Sequence, residues 1–526
     1  MKILHIAWGL MNSRSIVQYV KALLEAEAKN GWETFYFFPG RQSYNVTGPE
    51  LKKYKTELGT MYEIINAPKL EKELLRATNP ETDLSEPVTD AFFTKVMKEV
   101  KPDIVHIHEL QWLSSTIIEI AKKEFHVPLV MTLHNYHLLC PTFNLFDFQF
   151  QNCLQEIVGR KCVLCTRNAL SDSPINEIRN KLLFLPNGIY RSIRKPGIWF
   201  LNYSKKKSFD KYLAKSQMYH IFIPLLKKGL SLVFTQLRKK RKDGSNESIK
   251  EPLKELFQKR REINVERLKM IDLLIAHSKR VEEIYRFFMK TDNLITLNPI
   301  HNHLDNIFYK QFDIVNFPIK FGTIAGCANI EKGVKVIIEA LKILKEKGLS
   351  SKFLLIVLGD ISPNFQQELS SLPNVIIIGR FRSEDYNRIL DHIDVGIIPS
   401  IWEEIFGVVG SEFLAKGIPI IGNKRGGIVD YTIENMTGWI NKTCSGQELA
   451  EIMQNIINNP QEIVKLNNSI IQHRNQFVYP YNEFYKKNES FYHQILEKNY
   501  AKNPNHERHV LSGIKPSIRS GNKDCN

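Results

Sequence analysis

Short apolar runs alternating with amphipathic helical stretches, in two separate series, limit this chain to few architectures. The first series reads strand Lys2–Ala7, helix Ser15–Lys29, strand Glu33–Phe38, strand Ile104–Ile107, helix Ser114–Glu124 and strand Leu129–Leu133. It resumes at Asp272–Ala276. The second series reads strand Phe321–Ala325, helix Val334–Lys347, strands Phe353–Leu358 and Val375–Ile378, a helix from Glu384 and strand Val395–Ile398. Helix Gly410–Lys416 and strand Pro419–Gly422 follow. Strand–helix–strand repetition at these lengths predicts parallel, doubly wound sheets. A chain of 526 residues is too long for one core. The expectation is therefore α/β, with two facing Rossmann-like domains and a cleft between them, where the carboxyl ends of the strands present their loops. The expected bounds are residues 1–300, a linker at 301–316, a second domain at 317–465, a helical region at 466–500 and a polar, disordered tail at 501–526.

Charge is informative through its location. The formal net charge is +16. Between Arg179 and Lys242 there are seventeen Lys or Arg and one acid, Asp210, so 17 − 1 = +16 falls within that segment. It belongs to a basic insertion, residues 166–265, that interrupts the first series. A local basic segment points to a docking surface, and without regular aromatic interleaving or a known module it does not point to nucleic acid. Met218–Leu237 is apolar but broken by Lys227 and Lys228, and five basic residues, Arg238–Lys242, follow it. An anionic membrane surface suits this segment, and so does a solvated insert. The start MKILHIAWGLMN lacks the cleavage site of a signal peptide, and no uncharged stretch is long enough to span a bilayer. The expected compartment is the cytosol, at the inner face of the plasma membrane, with the seven cysteines reduced.

The segment Ser400–Pro419 carries the most specific chemistry. A buried strand leads into a short loop and then a helix, with Glu404 on the loop and Glu412 in the helix's first turns. A loop carboxylate can accept from sugar hydroxyls, and a helical one from a ribose diol. The helix start at Phe406, Gly407 and Val408 offers free amides and a positive dipole end to a diphosphate. The competing reading is an ordinary strand–loop–helix with solvated carboxylates.

This segment resembles the Glu-x7-Glu motif of the family 4 retaining glycosyltransferases, and other blocks follow in that family's order. They are Lys101-Pro-Asp-Ile-Val-His-Ile-His108, Thr132-Leu-His-Asn-Tyr-His-Leu-Leu-Cys-Pro141, Asp272-Leu-Leu-Ile-Ala-His-Ser278, Glu331-Lys-Gly333 and Gly426-Gly427. The resemblance implies the GT-B fold, with the first domain on the acceptor side and the second binding a nucleotide sugar. It further implies that Glu412 holds the donor ribose, Glu404 the transferred sugar and Lys332 the diphosphate. Phe406, Gly407, Val408 and Gly326 would line the donor site, and His134 would be the catalytic histidine of the cleft. The family places an arginine where this chain has Cys327, so Arg380, Arg382 or Arg425 would have to replace it. Asn12-Ser13-Arg14-Ser15 stands where the family has paired glycines, and Asn135 where it has an aspartate. His106 and His108 read as structural, and His137 is open.

Cys140, Cys153, Cys162 and Cys165 form a second constellation, ending in a Cys-x2-Cys pair. Four thiolates suit a structural zinc that staples a loop; the alternative is four unrelated thiols. No cofactor is expected for catalysis. The function expected from the whole is metal-independent transfer of a sugar from a nucleoside diphosphate sugar to a glycan or lipid-linked acceptor, with retention, in surface polysaccharide or lipopolysaccharide assembly. The rival is a catalytically weak, membrane-associated assembly subunit of the same fold.

Overall fold

The computed structural model describes residues 1–7, 15–41, 43, 46–69, 79–168, 251–361, 363–372, 374–381 and 385–502. The apolar part of the basic insertion, Asn12–Arg14, Arg382 and the tail beyond Lys502 lie outside these residues. Two sheet bodies are present. The first comprises β1 (Lys2–Ile6), α1 (Ser15–Lys29), β2 (Glu33–Pro39), β3 (Glu50–Thr56), β4 (Gly59–Ile65), α2 (Pro87–Val100), β5 (Ile104–Ile107) and β6 (Leu129–Leu133). It continues with α3 (Arg160–Asn168), α4 (Glu251–Lys269), β7 (Leu273–Ala276), α5 (Lys279–Phe288) and β8 (Leu294–Thr296). Its strand order is β3-β4-β2-β1-β5-β6-β7-β8. All pairs are parallel except β3 with β4.

The second body comprises β9 (Ile319–Ile324), α6 (Val334–Glu346), β10 (Phe353–Leu358), β11 (Val375–Gly379), β12 (Val395–Ile398), α7 (Val409–Ala415), β13 (Ile420–Asn423) and β14 (Gly438–Asn441). Helices α8 (Gly446–Asn458), α9 (Gln461–Gln472) and α10 (Tyr481–Lys502) end the described chain. The order is β11-β10-β9-β12-β13-β14, and every pair is parallel. In both sheets the order reverses beside one strand, β1 and β9 respectively, and crevices open at such switch points.

The strands buried on both faces read as continuous apolar runs in the sequence, because helices cover each side. The β3–β4 hairpin does not. β3 is an edge strand carrying Lys52, Lys53 and Lys55, and its exposure pattern leaves no apolar alternation to read.

One expected bound changes. The stretch 166–265 is not all insertion: α4 begins at Glu251 and is built into the first body, with Arg260, Arg261, Asn264 and Arg267 buried. α10 crosses back to the first body, where the Tyr492 hydroxyl meets His106 Nδ1 at 2.6 Å and Tyr485 packs on Trp32.

Candidate active site

The second body gathers its site at the switch point. β9 delivers the loop through Gly326 and Lys332, and β12 delivers the loop through Glu404 into α7. Lys332 Nζ lies 2.7 Å from Glu404 Oε2, which also accepts from Ser400 Oγ and Trp402 Nε1, each at 3.1 Å. The Lys332 ammonium stands 5.4 Å from the Trp402 ring centroid. Gly333 has φ +93°, and a side chain there would collide with the Pro399 carbonyl. Lys332 is thereby held against the end of β12. Gly326 packs on Thr323 and Pro399 in the same loop.

Gly407 has φ +78°, and a Cβ would come within 2.8 Å of the Tyr431 hydroxyl. That hydroxyl donates to the Gly407 carbonyl at 2.9 Å. Phe406 is buried with its ring against Tyr431. Val408 precedes α7, and no side chain among the described residues caps that helix.

Glu412 sits within the first turn of α7, only 5 % exposed. Its Oε1 is met by His303 Nε2 and by the Tyr386 hydroxyl, both at 3.0 Å. Burial, with Glu412 close by, pushes the Tyr386 phenol up, so it stays a donor. Glu412 Oε2 is buried and has no hydrogen-bond partner among the described residues. A buried carboxylate oxygen without a donor is costly, and a ligand hydroxyl would relieve it.

Arg380 does not join this cluster. It forks onto Asp360, Nε to Oδ1 at 2.5 Å and Nη2 to Oδ2 at 2.8 Å, with an 82 % exposed side chain beyond the edge strand β11. Cys327, in the place of the family's arginine, is fully buried, and burial raises its thiol to about 12. It packs as a small apolar group.

The two bodies meet across this site. Ser278 Oγ donates to the Ile405 carbonyl at 2.8 Å, and the Lys279 amide to Asp430 Oδ2 at 2.8 Å. Arg280 grips both oxygens of Glu403, at 3.1 and 3.2 Å. Glu403 also accepts from the Gly426 amide, so the loop beside Glu404 is fastened from both sides.

On the first body His134 follows β6 and is half-buried. Both of its nitrogens have imidazole partners: Nδ1 faces His277 Nε2 at 3.1 Å, and Nε2 faces His108 Nδ1 at 3.4 Å. Burial and the neighbouring rings hold His134 well below the usual imidazole range, and burial lowers His277 to about 4. His106 bridges the Tyr492 hydroxyl and Thr132 Oγ1. Ring nitrogens of His5, His106 and His108 lie within 4.8 Å of one another, the spacing of a metal site. Both nitrogens of each ring already have protein partners, so hydrogen bonding alone accounts for the cluster.

His137 belongs to a different network. Its Nε2 meets Asp83 Oδ1 at 3.0 Å, and Asp83 also receives Lys69 Nζ at 2.8 Å and Arg260 Nε at 2.6 Å. Burial alone would raise the Asp83 carboxyl, yet Arg260, Lys69 and His137 hold it well below its usual range. Burial would lower His137, but Asp83 and Glu109 outweigh it and raise that ring. This network pins α4 to the loop after β6, where Asn135 donates to Glu109.

The four cysteines are buried in one corner and form no disulfide among the described residues, with Cys162 and Cys165 on α3. Burial and then Cys140 raise the Cys153 and Cys162 thiols. Among the described residues their sulfurs do not form a group within 4.8 Å, unlike the three histidines. The donor set suits zinc; the spacing is not that of a closed tetrahedron.

Sequence reasoning missed Glu403, Arg280, His303 and Tyr386. Glu403 adjoins the motif glutamate and was open to notice. Arg280 reaches the site where the bodies meet, His303 comes from the segment between them and Tyr386 from beyond β11, and none of the three carries a local signal.

Residues 321–476 match the family described as Glycosyl transferases group 1. Over 163 residues the chain is 26 % identical to the amylovoran biosynthesis glycosyltransferase AmsK of Erwinia amylovora, covering 30 % of this chain and 40 % of that protein. Over 127 residues it is 29 % identical to a lipopolysaccharide 1,2-N-acetylglucosaminetransferase of Salmonella typhimurium, covering 22 % of this chain and 33 % of that one. The matched segments thus span less than half of either relative. Among solved structures, the sucrose-phosphate synthase of Thermosynechococcus elongatus superposes with a TM-score of 0.56 at 14 % identity, covering 94 % of this chain and 99 % of that one. HepE of Anabaena, in complex with UDP and glucose, superposes with a TM-score of 0.53 at 12 % identity, covering 93 % of this chain and 99 % of that one. The fold is GT-B: two facing Rossmann-like domains.

Proposed function

We propose that this protein is a retaining glycosyltransferase that moves a sugar from a nucleoside diphosphate sugar to an acceptor hydroxyl, in surface polysaccharide or lipopolysaccharide assembly. The observation that carries the reading is Glu412, a buried carboxylate with one oxygen tied to His303 and Tyr386 and the other without a donor among the described residues. A ribose diol supplies the missing donor. Lys332 and Glu404 neutralise each other when no donor is bound. An arriving diphosphate draws the ammonium away, and the hydroxyls of the transferred sugar take its place on Glu404. The neighbouring relatives named for amylovoran and lipopolysaccharide synthesis support the pathway class.

In the reaction the bond between the sugar's anomeric carbon and the phosphate oxygen breaks, and its electron pair leaves on the diphosphate. The acceptor oxygen forms the new bond on the same face, and its proton passes to the leaving phosphate oxygen. The protein supplies position and positive potential, and no metal takes part. The GT-B fold of HepE, whose structure holds UDP, is consistent with a uridine donor.

The same proposal places the enzyme at the cytoplasmic membrane surface, with a lipid-linked acceptor and residues 205–242 as the contact. It also includes zinc on Cys140, Cys153, Cys162 and Cys165 as a staple, which requires the sulfurs to close up. Hydrolysis and transfer assays over a panel of nucleotide sugars test the central claim. Turnover of one donor that falls in Glu404→Ala is expected; no nucleotide binding at all would overturn it. The weak-subunit reading draws on Cys327, which leaves one phosphate cation missing; nucleotide binding without turnover would favour it.

A further inference from the structure

The start of α5 touches the second body at three points, and all three bear on the loop that carries Glu404. Ser278 caps α5, accepting from the Val281 amide at 3.2 Å, and the same hydroxyl donates to the Ile405 carbonyl at 2.8 Å. The Lys279 amide donates to Asp430 Oδ2 at 2.8 Å. The Arg280 guanidinium uses separate edges for separate partners. Its Nε and Nη2 meet the two oxygens of Glu403 at 3.1 and 3.2 Å, while Nη1 meets Glu283 on its own helix at 3.0 Å. The Glu283 side chain is 65 % exposed and that of Glu403 only 6 %, so the contact with the second body is the one sheltered from water and salt.

Between the two bodies lies the turn Gly426-Gly427. Glu403 accepts from the Gly426 amide at 3.1 Å, and the Glu404 carbonyl accepts from the Gly427 amide at 2.7 Å. Gly426 has φ +50°, and a Cβ there would collide with the Glu404 backbone. A Cβ on Gly427 would come within 2.8 Å of Ser278 Cβ and 2.6 Å of the Ile405 carbonyl oxygen. The start of α5, the glycine turn and the loop through Glu404 are therefore stacked in direct contact, with no flexible side chain between them to yield. Ile405 and Trp402 on this loop also pack against the apolar core of the first body. Close-packed groups transmit displacement, so a shift of α5 is passed to the Glu404 backbone rather than absorbed.

We propose that Arg280 is a positioning residue for the donor site: from the first body it holds Glu403, and through Glu403 it sets where the neighbouring Glu404 carboxylate stands. The role of Glu404 rests on the reading under Proposed function, while the hold on its loop does not. Two parallel hydrogen bonds from a guanidinium to a carboxylate fix direction as well as distance, which a single point charge does not. Glu403 turns toward the first body, and Glu404 is thereby left to face Lys332 at 2.7 Å. The second body thus supplies the carboxylate and the first body its position, so the site is complete only with the two bodies joined at this contact. Glu412 takes its partners from His303 and Tyr386, outside this stack. Nucleotide affinity and turnover should therefore separate when the Arg280 contact is removed.

The test compares Arg280→Met, Arg280→Lys and Glu283→Gln in the full chain. Amide hydrogen exchange read by mass spectrometry reports on the loop directly. In Arg280→Met, peptides covering 403–408 and 425–428 should exchange faster, although the substitution lies in the other body. Unchanged exchange in those peptides overturns the proposal. Faster exchange throughout both bodies, with a lowered Tm, marks a merely structural ion pair and overturns it as well. With a working donor, Arg280→Met should lower kcat about ten- to hundredfold, the scale on which misplacing a reacting group by about an ångström acts. Donor KM and affinity for the matching nucleoside diphosphate should stay as in the wild type. Arg280→Lys keeps the charge without the fork and should recover part of the loss, and Glu283→Gln should leave kcat unchanged. Wild-type kcat in Arg280→Met, or equal losses of kcat and nucleotide affinity, overturns the positioning role. If no donor is turned over, the functional reading fails and the exchange result still decides whether Arg280 holds the loop.

Discussion

Replacing Glu412 by alanine should abolish discrimination between a ribose and a dideoxyribose nucleotide. In the protein Glu412 is 5 % exposed; Oε1 is satisfied by His303 and Tyr386, and Oε2 by no group among the described residues. A ligand hydroxyl donating to that oxygen makes a hydrogen bond to a charged acceptor, worth about 1.5–3 kcal/mol. At about 1.4 kcal/mol per factor of ten, one such bond is worth roughly 10- to 150-fold in affinity. The nucleoside diphosphate should therefore bind the wild-type chain tighter than its 2′,3′-dideoxy analogue by about that factor. The alanine variant should bind both equally, at the weaker affinity. Without ligand the variant should lose about 1–3 kcal/mol of stability, because it also removes Oε1 and leaves the His303 and Tyr386 donors unpaired. Calorimetric titration of both nucleotides into both proteins, beside thermal unfolding, gives all four corners of the cycle. A variant that still prefers the ribose form by the wild-type factor would refute the placement of the diol on Glu412.

Four further outcomes follow from other parts of the molecule. Arg260→Met should destabilise the first body by about 3–5 kcal/mol in chemical denaturation, because Asp83 stays buried with one cation fewer. On acidification, burial lowers His277 from 6.5 to about 4, so its neutral form contributes stability that is complete above pH 6.5 and is lost as pH falls toward 4. Over that interval the loss amounts to about 3 kcal/mol, and His277→Gln should flatten the slope of unfolding free energy against pH; an unchanged slope would count against the neutral buried ring. Protein prepared without chelators should carry about one zinc per chain, falling in Cys162→Ser; absence of zinc and iron would leave the four cysteines as packed thiols. Membrane contact is checked by sedimentation with anionic liposomes, where deleting residues 205–242 should abolish binding and leave nucleotide affinity intact.

The sequence determined what depends on neighbours along the chain. Apolar runs such as Leu129–Leu133 and Phe353–Leu358 are strands in the structure as read, because a strand covered on both faces needs an unbroken apolar stretch. The spacing of Glu404 and Glu412 across a loop–helix junction, and the glycine after Lys332, are likewise local, and the structure brings all three residues to one switch point. Only the tertiary structure decided which groups those residues meet. In sequence Arg260 reads as part of the basic insertion, since net charge cannot say that Asp83, 177 residues away, is its partner. α10 carries a tyrosine whose partner His106 lies 386 residues earlier. His303 and Tyr386 come to Glu412 from the segment between the bodies and from beyond β11, and neither has a pattern of its own. The cluster of buried histidines is the clearest case. His5, His108, His134 and His277 belong to or follow β1, β5, β6 and β7, four strands in sequence order but separated by long connections. Each alone is a histidine at a strand. Their alignment exists because parallel pairing sets those strand ends side by side about 4.8 Å apart, a spacing that only the order of strands in the sheet can supply.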